Sequence, residues 1–310
     1  MDENIVEKKK LAKLLTLLES PVVSFRKKGM DEVSNLIKVH PTKISKRIGI
    51  CGPPGIGKST FIEKLGLTIL QQNFSVGVIC IDPSSEVNGG SILGDKTRMN
   101  ELSVHPRAFV RASPSMAQLG GVGAIPLESL LAMEQFGYDY VLIETVGLGQ
   151  SEIHIRNLCD VLIVLLAANN GDDLQIMKKG IMEHADIIVI HKSDELSDLQ
   201  KIQVENLYKN PNSSKKYAVY VMSSLEKEPS VHHQKLFSFM NQYWNEIQLN
   251  GKLTSLREEQ KIQCALQEIY FLTKNLIKDK KIVLEDKQKN CSTLELAIKL
   301  GRGLVENLEF

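Results

Sequence analysis

Apolar residues fall into two alternating patterns along the chain. From about residue 47 onward, short runs rich in β-branched residues alternate with stretches whose apolar positions recur at helical spacing. The runs predict strands at 47–51, 76–82, 108–111, 140–144, 161–166, 187–190 and 218–222. Several are apolar almost throughout, as expected of strands covered on both faces of a parallel sheet. One intervening helix is predicted from near Pro126 to just before Gly137, with proline in its first turn and glycine just past its end. This alternation predicts an α/β fold with a doubly wound, mainly parallel sheet. Ligands of such sheets bind at the carboxyl ends of the strands, so motifs at those ends carry the most information.

Helical flanks surround this core. Residues 5–40 carry a helical pattern interrupted by Pro21, and after residue 231 no strand is evident. Ile262, Leu266, Ile269, Tyr270, Leu276 and Ile277 form an apolar stripe at helical spacing, followed by a last helix near 293–307. Taken alone, the stripe reads as cover for the chain's own core. The expected organisation is an N-terminal helical extension (1–45), a central α/β domain (46–248) and C-terminal helices (249–310).

Charge and composition narrow the partners. Thirty-eight Lys and Arg balance 37 Asp and Glu, a net charge of +1, which argues against non-specific binding to nucleic acid or to an anionic membrane. Short basic clusters such as Lys8-Lys9-Lys10 read as solvated faces. The longest apolar run, 161–168, is too short to span a bilayer. The start Met1-Asp2-Glu3-Asn4 has neither the basic opening nor the apolar core of a signal peptide. Five scattered cysteines, odd in number and without a CxxC pair, fit a reduced chain. The expectation is a cytoplasmic protein.

The chemistry begins at Gly52-Pro53-Pro54-Gly55-Ile56-Gly57-Lys58-Ser59-Thr60, which fits G-x-x-x-x-G-K-[ST] between a predicted strand and a predicted helix. Phe61, Ile62, Leu65, Ile69 and Leu70 mark the inner face of that helix. Backbone N–H groups of such a loop cradle phosphate oxygens. Lys58 is expected to neutralise the β- and γ-phosphates, and the Ser59 hydroxyl to ligate magnesium. Asp82 and Glu144 each end a predicted strand, which puts two carboxylates near the same edge. Glu144-Thr145-Val146-Gly147 stands where GTPases usually carry Asp-x-x-Gly.

Several stretches then resemble one family. Asp82-Pro83-Ser84-Ser85 followed by Gly89-Gly90-Ser91-Ile92-Leu93-Gly94-Asp95-Lys96-Thr97-Arg98-Met99 resembles the first switch of the MeaB/ArgK-type GTPases, the family of the methylmalonic aciduria type A protein. Glu144 to Glu152 is similar to its second switch, and Gly171-Asp172-Asp173-Leu174-Gln175 with Lys178-Lys179-Gly180 to its third. Arg111-Ala112-Ser113-Pro114-Ser115 and Leu119-Gly120-Gly121-Val122 echo a further stretch, and the similarity runs in order from about residue 10 to 300. The resemblance implies a P-loop GTPase that binds GTP or GDP and Mg2+ and serves as metallochaperone to an adenosylcobalamin-dependent acyl-CoA mutase of the methylmalonyl-CoA mutase type. Such a protein gates cofactor loading and protects or reactivates the mutase. It further implies a homodimer with the C-terminal helices as dimerisation arm. Magnesium would be held by Ser59 with Asp82, Asp95 and Glu144, all hard oxygen donors. Lys58 and Glu144 would carry catalysis, with water as nucleophile.

The chain departs from the usual pattern at the base. Where GTPases carry Asn-Lys-x-Asp it reads His191-Lys192-Ser193-Asp194. Asp194 can still accept two hydrogen bonds from guanine, and Lys192 can pack its stem over the ring. His191 is expected to weaken binding while leaving the preference for guanine. The last base loop is Ser223-Ser224-Leu225, where the family more often has Ser-Ala-Leu. Two alternatives stand beside this reading. One is an ATPase or kinase linked to amino-acid transport, in the sense attached to ArgK, and the other is a chaperone of a different metalloenzyme.

Overall fold

The computed structural model describes residues 3–20, 22–39, 44–82, 99–114, 127–144, 155–167, 181–208, 217–224 and 231–279. Among these residues, seven strands form one parallel sheet: β1 (Lys46–Cys51), β2 (Val76–Asp82), β3 (Ala108–Pro114), β4 (Tyr140–Glu144), β5 (Val161–Ala167), β6 (Ile187–His191) and β7 (Ala218–Val221). All seven expected strands are present. The sheet order is β3-β2-β4-β1-β5-β6-β7, and every pairing is parallel. The helices are α1 (Glu3–Leu18), α2 (Val23–Val39), α3 (Lys58–Gln71), α4 (Asn100–Val104), α5 (Leu127–Gln135), α6 (Ile181–His184), α7 (Asp198–Tyr208), α8 (Val231–Leu249) and α9 (Lys252–Asp279).

The continuous apolar strands are explained by cover on both faces. Because side chains alternate along a strand, one set faces each layer. Ile48, Ile50, Val78, Leu142, Ile163 and Val189 join a cluster with Phe61, Ile62 and Leu65 of α3 and Leu236, Met240 and Trp244 of α8. The alternate set, including Ile79, Val141, Ile143, Leu162, Val164 and Ile188, packs with Leu11, Leu14, Leu15 and Leu18 of α1, Val33 of α2 and Leu130 and Met133 of α5. The two N-terminal helices therefore cover one face of the sheet.

Chain order decides where a ligand can sit. After β1 the chain crosses to β2 on one side, and after β4 it crosses back over β1 to β5. β1 thus lies between β4 and β5, at the switch point where doubly wound sheets open a crevice.

At the opposite end of the sheet, a buried polar network holds the C-terminal helices. Asp160, fully buried, accepts hydrogen bonds from the Arg47 backbone N–H (3.0 Å), Trp244 Nε1 (3.0 Å) and Arg257 Nε and Nη2 (3.0 and 2.8 Å). Arg47 in turn makes a two-pronged pair with Glu134 (2.9 and 3.1 Å). Such a site is satisfied because each carboxylate oxygen has charged or N–H donors around it.

Residues Met1–Cys264 form one compact unit and Ala265–Phe310 a second. Ile262, in the first unit, is 60% exposed, so at this position the apolar stripe is not cover for the chain's own core; Leu266 and Ile269, in the second, are 54% and 59% exposed. The side chains of Tyr270, Leu276 and Ile277, and the helix expected near 293–307, lie outside what is described. Among the described residues, no helix is long and apolar enough to cross a membrane.

Candidate functional site

β1 delivers the chain into the glycine loop, and α3 carries it away. Gly52 has φ of +155°, and a Cβ there would stand 2.6 Å from the Leu165 backbone oxygen on β5. Only glycine lets the loop leave the sheet that close to its neighbour. Gly57, at φ +98°, caps α3, and its carbonyl accepts from the Phe61 N–H at 2.9 Å. The helix has neither a capping side chain nor an acidic residue in its first turn. Its opening N–H groups and its positive dipole end therefore suit an anion.

Lys58 and Ser59 are buried in that first turn. Lys58 Nζ donates to the carbonyls of Gly52 (2.8 Å) and Pro53 (3.1 Å), so the ammonium is held against its own loop. The Ser59 hydroxyl donates to Glu144 Oε1 at 3.0 Å. Glu144 ends β4, opposite Ile50 of β1 and Cys80 of β2 in the two registers. The strand order accordingly brings Glu144 against Ser59, 85 positions away in sequence and the neighbour of Lys58. Asp82 ends β2, two residues beyond Glu144's register partner, and its side chain is outside the description. Asp95, Leu225 and the switch stretches 83–98, 145–154 and 168–180 also lie outside the described residues.

The stretch His191-Lys192-Ser193-Asp194 lies where β6 ends. His191 is the last residue of β6 and is buried. Lys192 follows at φ 59° and ψ 38°, a left-handed conformation uncommon outside glycine. That turn sends the chain toward β7. The Ser193 N–H donates to the Met222 carbonyl (3.3 Å), and the Met222 N–H donates to the Ile190 carbonyl (3.0 Å). Asp194 is exposed, and a hydrogen bond from the Ser223 side chain holds its carboxyl below the usual carboxylate range. A carboxylate fixed ionised in this way is a ready acceptor for paired N–H donors.

His191 itself is the residue whose part the sequence did not disclose. Its Nδ1 lies 2.8 Å from the Ile56 carbonyl in the phosphate loop, and its Nε2 lies 2.7 Å from Ser224 Oγ. The ring meets Phe61 of α3 edge-on, with centroids 6.0 Å apart. Burial pushes its pKa below the ordinary 6.5, and Lys192 acts in the same direction. The local signal was confined to a non-standard residue at the asparagine position. Nothing near residue 191 in sequence points to residue 56 or 224.

Residues 11–282 match the sequence model of the family described as "Methylmalonyl Co-A mutase-associated GTPase MeaB". A probable GTPase of Mycobacterium tuberculosis is 45% identical over 184 residues, covering 59% of this chain and 54% of the relative. The GTPase ArgK of Escherichia coli is 40% identical over 224 residues, 70% of this chain and 67% of the relative. The mitochondrial methylmalonic aciduria type A homolog of Caenorhabditis briggsae is 38% identical over 267 residues, 81% and 64% of the two chains. A crystal structure of a LAO/AO transport system kinase superposes with a TM-score of 0.69 at 25% identity, covering 98% of this chain and 99% of that one. The chain spans about half the length of the first curated relatives it matches. With the family match running through the glycine loop, the Glu144 strand end and the base loop, the chain belongs to the MeaB family of methylmalonyl-CoA mutase-associated GTPases.

Proposed function

We propose that the protein is a magnesium-dependent GTPase that acts as metallochaperone to an adenosylcobalamin-dependent acyl-CoA mutase of the methylmalonyl-CoA type, as a homodimer. The observation that carries the nucleotide reading is the link between its two halves. Through His191, the loop presenting Lys58 and Ser59 is bonded to the segment presenting Asp194 and Ser223. In this reading, phosphate cradle and base reader are tied to each other by those two hydrogen bonds. The mutase reading is supported by the family description and by the names of the mitochondrial relatives.

In this reading, loop N–H groups and the α3 N-terminus bind the phosphates, and Lys58 turns from its loop carbonyls to the β- and γ-oxygens. The Ser59 hydroxyl and the Glu144 carboxylate are hard oxygen donors 3.0 Å apart, which fits Mg2+. Asp82, at the end of the strand beside Glu144's, and Asp95 would complete the set. Bound there, the ion would neutralise charge on the phosphate oxygens. Water is the nucleophile, and the chain contributes positioning and charge stabilisation rather than a covalent intermediate.

The test is GTP hydrolysis in Mg2+ by wild type and Lys58→Ala, with circular dichroism to verify folding. Loss of turnover in a folded variant is expected, and wild-type turnover would refute the site. Competition of GDP and ADP for the wild-type site separates this reading from an ATPase or kinase of amino-acid transport, for which equal affinities would speak. Stimulation of hydrolysis by a cobalamin-dependent mutase tests the partner, and absence of any stimulation would remove it.

A further inference from the structure

His191 contacts three separate nucleotide-handling segments at once: the glycine loop through Ile56, the first turns of α3 through Phe61, and the loop after β7 through Ser224. Chemistry fixes the direction of both hydrogen bonds. A backbone carbonyl only accepts, so Nδ1 carries the proton that goes to Ile56. In the neutral ring Nε2 is then a bare lone pair, and the Ser224 hydroxyl must donate to it. Both ring nitrogens are used, which leaves no lone pair for a metal. The ring also lies over the glycine that caps α3, since a Cβ on Gly57 would stand 3.0 Å from His191 Cε1.

The two residues at which the base loops depart from the usual GTPase pattern are therefore bonded to each other. Histidine stands at the asparagine position, serine at the alanine position, and their side chains meet at 2.7 Å. The adjacent serine completes the arrangement. Ser223 bonds the carboxylate of Asp194, while Ser224 bonds His191. One two-residue step after β7 thus orients both ends of the His191–Asp194 segment.

We infer that His191, as the neutral ring protonated on Nδ1, is a positioning residue that clamps the phosphate loop to the base-reading loops, and that Ser224 is its obligatory partner. The clamp rests on the nucleotide reading above and deepens it. It preserves guanine binding in a chain that lacks the asparagine, by replacing one short amide with a histidine–serine relay. Removing the Ser224 hydroxyl leaves a buried acceptor without its donor, which loosens the base loop only while histidine is present to need it.

The test is a double-mutant cycle on affinity for N-methylanthraniloyl-GDP, using wild type, Ser224→Ala, His191→Asn and the double variant. Ser224→Ala is expected to weaken binding roughly three- to tenfold in the histidine background. In the asparagine background, the same change should alter it by less than about twofold. Equal losses in both backgrounds would overturn the clamp. Nitrogen-labelled histidine spectra of the nucleotide-free protein provide a second readout, with His191 assigned by its loss in His191→Asn. An Nδ1-protonated ring is expected, and an Nε2-protonated ring would overturn the proposal even if the Ser224→Ala variants failed to fold. Failure of the wild type to bind any guanine nucleotide would instead overturn the nucleotide reading and the clamp's function with it, while the spectrum would still report the ring's bonding.

Discussion

Replacing Asp160 by asparagine should destabilise the protein strongly and leave the nucleotide site untouched. Oδ2 of this carboxylate receives three donors and Oδ1 one, with no exposed surface. Asparagine keeps one carbonyl acceptor, but its NH2 would face either Arg257 Nε–H or the donors on the other side. At least one charge-assisted bond is lost, while Arg257 keeps its bond to the Ser45 carbonyl (2.6 Å) and its longer contact with Glu134 (3.4 Å). Breaking a buried ion pair destabilises by about 3–5 kcal/mol. The lower figure, about 3 kcal/mol, applies because part of the hydrogen bonding and the Glu134 contact survive. With a urea slope near the upper end of the usual range, about 3 kcal/mol/M, the midpoint should fall by roughly 1 M. Asp160 precedes β5, whereas the glycine loop lies at the carboxyl edge, one seven-residue strand away, roughly 20 Å. GDP affinity measured well below the transition should therefore equal that of wild type. A midpoint shift under about 0.3 M, or a weakened GDP affinity in the folded variant, would refute the reasoning.

Gly52→Ala should abolish or severely weaken nucleotide binding, because the added Cβ meets a strand backbone oxygen at 2.6 Å and only a moved loop relieves it; calorimetric titration with GDP reads this, and wild-type affinity would contradict the packing. Asp194→Asn should reduce the preference for GDP over ADP by roughly tenfold or more, since a charged acceptor for two guanine donors is lost; an unchanged GDP to ADP ratio in competition titrations would assign base reading elsewhere. His191 gives a pH signature of definite sign. Its folded pKa lies below the ordinary 6.5, so the unfolded chain binds the proton more readily, and stability is full above about pH 6.5 and falls as pH drops toward the folded value. Urea midpoints from pH 8 to 5 should therefore decline more steeply for wild type than for His191→Asn, and parallel curves would contradict the assignment. Burial pushes the Cys159 thiol up to about 12, so a thiol reagent at pH 8 should fail to label it until the protein is unfolded.

Much of this protein is a local property of its sequence. A strand covered on both faces has no polar side to alternate with, so 161–166 and 187–190 announce themselves as continuous apolar runs. The glycine loop is equally local. Its tight turn, its close backbone approach and its helix N-terminus all need particular residues at fixed offsets, and so it can be read from one string of nine. The carboxylate Glu144 was legible as a strand end. That it accepts from Ser59, 85 positions earlier, follows only once β4 is seated beside β1, because the sheet order is set by crossovers and cover rather than by any one strand. The same holds for Asp160, whose donors come from residues 47, 244 and 257, and for Glu19, which accepts from Arg111 and Ser113 of β3. At the base loop, sequence alone marked His191 and Ser224 as two unrelated departures. Tertiary structure made them one feature, since hydrogen bonds act over 3 Å in space and are indifferent to the 33 residues that separate the partners along the chain.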